Sequence, residues 1–136
     1  MDETIDKLCQ AAFEGRIDYL KIHLNSNVDI NASGRNDTIL KSAIENENID
    51  CVKFIIEKGA NVEFKGESNL NPLEHAIDIS IQSNNNTGGK DGDESIEIIK
   101  ILLDAGADPN SGLRIAKTYG STKIIRLLQT YMSENN

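Results

Sequence analysis

"IIKILLDAGADPN", residues 98–110, decides how this chain folds. Its apolar block recurs at helical steps and is closed by Gly106, a residue that ends helices because it tolerates left-handed backbone. The same ending stands earlier in the chain. "FIIEKGANVE" (residues 54–63) carries Gly59 at the matching place, and "NVDIN" (residues 27–31) is a looser copy. A second element precedes each ending. It opens on a leucine followed three residues later by alanine: Leu8 and Ala11, Leu40 and Ala43, Leu73 and Ala76, Leu113 and Ala116. The leading leucines are 32, 33 and 40 residues apart, so the chain is an array of four units.

Each unit reads as two short helices. In the first, Leu8, Ala11 and Ala12 form one stripe and Ile17, Leu20 and Leu24 another, at three- and four-residue steps. Gly15 and Gly120 stand where the first helix of a pair must stop. Asn71 and Pro72 make a strong helix start, Asn to cap free N–H groups and Pro to fit the first turn. Helices this short cannot bury an apolar face alone, so neighbouring units must stack into one continuous core.

These residues resemble ankyrin repeats, whose units run Thr-Pro-Leu-His-x-Ala, a Gly, an apolar helix, then Leu-Leu-x-x-Gly-Ala-Asp-x-Asn. "NPLEHA" (residues 71–76) and "LLDAGADPN" (residues 102–110) match best, and the resemblance spans nearly the whole chain. It implies one all-α domain over residues 1–136, an ankyrin-type solenoid with units at about 4–32, 33–65, 66–110 and 111–132. No unit keeps the opening motif whole. Lys41 occupies the usual His place in the second, and His75 falls one residue late in the third. The hydrogen bonds that the family's histidine makes within a repeat are therefore not expected here. The short interval from Gly106 to Leu113 predicts a trimmed last hairpin.

The third unit is longer than its neighbours by about the length of a polar stretch at residues 82–95, which includes "SNNNTGGKDGDES". That places the stretch between the paired helices of one repeat, as a mobile loop projecting from the far edge. Its chemistry is weak. The spacing of a phosphate loop is absent. As a calcium loop counted from Asp91, it has Ile96 where Gly is needed and Leu102 where Glu is needed. No cofactor is expected. His23 and His75 lie on different units, and no metal-binding or nucleophile motif surrounds them or the two cysteines, so no enzyme is expected.

With 22 acidic against 14 basic residues the net charge is −8, which argues against nucleic acid or an anionic membrane as partner. The N-terminus shows neither the basic nor the apolar segment of a signal peptide, and no apolar run approaches the length of a membrane span. A cytoplasmic location is expected, with Cys9 and Cys51 as buried free thiols.

The family binds proteins through hairpin tips and the open side of its first helices. Carried onto this chain, its contact positions select Phe13, Glu14, Arg35, Asp37, Glu45, Asn46, Glu67, Ser68, Leu70, Asp78, Ile79 and Tyr119, with Asp2, Glu3, Ile5, Gly34 and Thr118 beside them. Carboxylates dominate this set and Arg35 is its only cation. A basic protein partner, met by a monomer, is expected. Two functions fit: a general interaction module, or an inhibitor similar to the small immunity proteins that neutralise a basic toxin such as a nuclease.

Overall fold

The computed structural model describes residues 3–35 and 37–134. Among them eight helices follow in order: α1 (Glu3–Glu14), α2 (Ile17–His23), α3 (Ile39–Glu45), α4 (Ile49–Glu57), α5 (Pro72–Asn86), α6 (Glu97–Asp104), α7 (Pro109–Tyr119) and α8 (Thr122–Glu134). They pair as α1–α2, α3–α4, α5–α6 and α7–α8. Successive pairs stack, α1 on α3, α3 on α5 and α5 on α7 in one row, α2 on α4 and α4 on α6 in the other. The result is the all-α solenoid that the leucine spacing predicts. Each leading leucine contributes to the seam: Leu8, Leu40 and Leu73 are buried, and Leu113 in the fourth unit is half-buried.

Local chemistry explains the element ends. Gly15 and Gly120 turn the chain between paired helices at φ of 76° and 71°. Glu47 does the same in the second unit at φ 54°, a conformation that L-residues seldom adopt. The Asn71 side chain accepts from Glu74 N at 2.8 Å while Glu74 Oε1 accepts from Asn71 N at 3.1 Å, a reciprocal cap that starts α5. Asp108 caps α7 directly after a four-residue connection from α6, which is the trimmed hairpin.

The polar stretch behaves differently from a free loop. Helix α5 continues through residues 83–86, and the chain then returns along the molecule. Glu94 is 6% exposed and accepts a hydrogen bond from Ser121 Oγ at 3.2 Å. Lys123 Nζ donates to the carbonyls of Gly92 and Glu94, at 3.0 and 2.9 Å, and Ser80 Oγ donates to that of Ser95. The returning arm is therefore pinned to the start of α8 through buried Glu94, while Gly92, Asp93 and Ser95 around it stay exposed.

Candidate partner-binding face

The row of first helices is hollowed into a groove of about 720 Å³. Glu3, Asp6, Gln10 and Phe13 line it from α1, Glu45 from α3 and His75 from α5. Phe13 is 44% exposed at the end of α1, where four backbone carbonyls lack helical partners. Side chains of the next unit supply two of them: Asn48 Nδ2 donates to Ala12 O at 2.9 Å and to Phe13 O at 2.5 Å, and Asn46 Nδ2 donates to Phe13 O at 3.0 Å. This tether holds the turn under Phe13 and leaves its ring open to solvent.

Much of the face's charge is already engaged inside the molecule. Asp6 accepts from Arg35 N at 2.7 Å and lies 3.4 Å from Arg35 Nε. Asp37 pairs with Lys41 at 3.0 Å, and Glu45 with His75 at 2.6 Å. Asp78 accepts from Tyr119 Oη and, at 2.9 Å, from Gln82 Nε2. That carboxylate pushes the Tyr119 phenol up from its ordinary value. Glu3 and Glu67 are exposed and form no ion pair with any described residue.

Of the positions selected from sequence, Glu3, Phe13, Arg35, Asp37 and Glu45 meet in the groove. Glu14 lies beyond its end, 3.9 Å from Arg16. Ser68 and Leu70 fold around the Lys41 ammonium at the second tip, beside exposed Glu67. Asp78 and Tyr119 sit further along, on α5 and α7. Ile79 is half-buried and faces a cavity of about 20 Å³ together with Ile44, Ile49 and Ile98. Ile5 is buried. Asp2 lies outside the described residues. Asp6, Gln10 and His75 are groove residues the contact pattern passes over. The three- and four-residue steps from Glu3 through Asp6 and Gln10 to Phe13 are the signal that finds the first two.

Cys9 lies at the base of the groove, its Sγ donating to Asp37 O at 3.3 Å. Burial pushes its thiol, and that of Cys51, above the ordinary value; both are free and buried, which makes them packing groups rather than nucleophiles. No helix among the described residues is long and apolar enough to cross a membrane.

A family model of ankyrin repeats, in three copies, matches residues 8–112. The chain is 38% identical over 68 residues to alpha-latrocrustotoxin-Lt1a of Latrodectus tredecimguttatus, covering 48% of this chain and 5% of that protein. It is 32% identical over 79 residues to the 2-5A-dependent ribonuclease of Homo sapiens, covering 57% of this chain and 9% of that protein. The chain thus spans a small fraction of either relative. Ankyrin repeats are protein–protein interaction modules and typically non-catalytic. With the stacked helix pairs and the match over most of its length, this chain belongs to the ankyrin-repeat family.

Proposed function

We propose that the array captures a basic protein segment along the groove of its first helices. The observation that carries this is the exposed Phe13 ring at one end of a groove lined by the carboxylates of Glu3, Asp6, Asp37 and Glu45. Arg35 and Lys41 each pair with a carboxylate of this chain, His75 contacts Glu45, and Lys7 is exposed without an ion pair to any described residue, while Glu3 and Glu67 remain open to a partner. Buried aromatic anchors supply most of the affinity in such interfaces, and the surrounding field governs encounter and its salt dependence. Two free thiols suit a reducing compartment, in keeping with a monomer acting in the cytoplasm. The inhibitor function is the special case in which the captured protein is a basic toxin, and the identity of the captured protein separates the two.

Capture from the native host by wild-type protein, Phe13→Ala and Glu3→Lys/Glu67→Lys, read by mass spectrometry and titration, tests the face. Phe13→Ala is expected to weaken the captured partner about tenfold, the cost of losing a modest aromatic anchor. The double charge reversal is expected to flatten the salt dependence. All three positions count as exposed and none belongs to the core, so unfolding is expected to shift by no more than about 1 kcal/mol. Capture that is unaltered in both variants removes this function from the groove.

A further inference from the structure

Charge changes sign abruptly near the end of the array. Residues 91–108 hold Asp91, Asp93, Glu94, Glu97, Asp104 and Asp108 against Lys100 alone, whereas residues 109–133 hold no carboxylate side chain at all. The four charged side chains there are Arg114, Lys117, Lys123 and Arg126. Lys123 is turned back onto the Gly92 and Glu94 carbonyls. Arg114, Lys117 and Arg126 are exposed and form no ion pair with any described residue.

Helix geometry aims two of them away from the rest of the molecule. Gly112 and Ala116 are buried positions of α7, and a Cβ at Gly112 would lie 2.7 Å from Ile77 Cδ1 on α5. Arg114, midway between them, projects from the opposite side, and Lys117 lies one turn further along. Between them runs an open groove of about 600 Å³ lined by Asn110, Leu113, Arg114, Lys117 and Thr118. Half-buried Leu113 gives it an apolar floor.

We infer that the outer face of α7 docks an acidic peptide segment bearing an aliphatic side chain, independently of whatever fills the first-helix groove. Two cations one turn apart match two carboxylates at similar spacing, and Leu113 matches the aliphatic group. Overall charge selects this occupant over other anions. A long polyanion or a charged bilayer meets the net −8 of the whole chain, while a short segment feels only charges within the screening distance of about 8 Å.

The test titrates ¹⁵N-labelled full chain with a blocked peptide alternating glutamate and leucine. Its glutamine counterpart, a single-stranded oligonucleotide and phosphatidylserine vesicles are titrated in parallel. Amide shifts from the acidic peptide are expected on α7. Arg114→Glu/Lys117→Glu should weaken that peptide about tenfold, the sum of two modest exposed pairs, while Glu3→Lys/Glu67→Lys leaves it no weaker. An unchanged dispersed spectrum reports that each variant is folded. The inference falls if the peptide produces no titratable shifts, if the shifts lie elsewhere, or if the glutamine peptide binds as well. Tighter binding of oligonucleotide or vesicles, lost in the same variant, replaces the peptide with that macromolecule.

Discussion

Lysine stands at position 41 where an ankyrin repeat carries histidine, and the substitution relocates the hydrogen bonds instead of deleting them. The Lys41 side chain is wholly buried. Its ammonium donates to the carbonyls of Lys65 and Leu70 and to Ser68 Oγ, and Asp37 Oδ1 lies 3.0 Å away. A buried ammonium is tolerable only with such a complete set of acceptors. The four-carbon stem of lysine reaches across to the next hairpin, so one side chain ties α3 to the tip that presents Glu67 and Ser68. Sequence shows the departure at this position but not its outcome, because the acceptors lie 24 to 29 residues away in an irregular loop. Lys41→Met keeps the stem and withdraws the ammonium from those acceptors and from the Asp37 carboxylate, leaving them only the weaker local bonds from Ser68 Oγ, Leu70 N and Thr38 N. It is expected to cost about 3 kcal/mol, as for removing one member of a buried ion pair. Urea unfolding measures this, and a loss under about 1 kcal/mol would place the acceptors in contact with water instead.

Among elements, those with sharp terminal chemistry were legible and those ended by tertiary contacts were not. The Asn71–Pro72 start and the glycines at 15, 59, 106 and 120 read directly as helix ends, since each meets a local backbone requirement. The stretch after Ile81 read as loop because Ser and Asn favour turns, yet α5 runs on to Asn86. Nor does sequence show that Glu94 turns inward to Ser121. Helix α8 is also held by Tyr131, whose hydroxyl donates to Asp104 Oδ1 on α6 at 2.5 Å. The carboxylate beside it, with a smaller effect of burial, pushes this phenol up to about 12 from an ordinary 10.0. The folded value lies above the unfolded one, so the stabilisation is fully present below pH 10 and is lost as pH rises towards 12. Wild-type protein should therefore lose stability over that interval more steeply than Tyr131→Phe. Urea midpoints at intervals from pH 8 upward compare them, and parallel slopes would mean that the bond to Asp104 does not persist in solution.

For the whole molecule, the leucine spacing carries the architecture because stacked repeats interact only with their neighbours, which turns a periodic sequence into a periodic structure. The candidate face was legible only in part. Its positions follow from the period, whereas the engagement of Asp37, Glu45 and Asp78 inside the molecule depends on partners in other units or turns. The same one-dimensional logic predicts how the array comes apart. The last pair has a neighbour on one side, and α7 approaches α5 closely only because Gly112 has no side chain. A Cβ there would lie 3.1 Å from Leu73 Cδ2 as well as against Ile77. Gly112→Leu must displace α7, at a cost of about 1–3 kcal/mol for overpacking. Hydrogen exchange is expected to show amides of α7 and α8 losing protection first, while α3 and α4 keep theirs, because the damage reaches them only through the intervening pair α5–α6. Equal loss of protection in all eight helices would mean that the array unfolds as one unit, with coupling between neighbours stronger than the stability of any single pair.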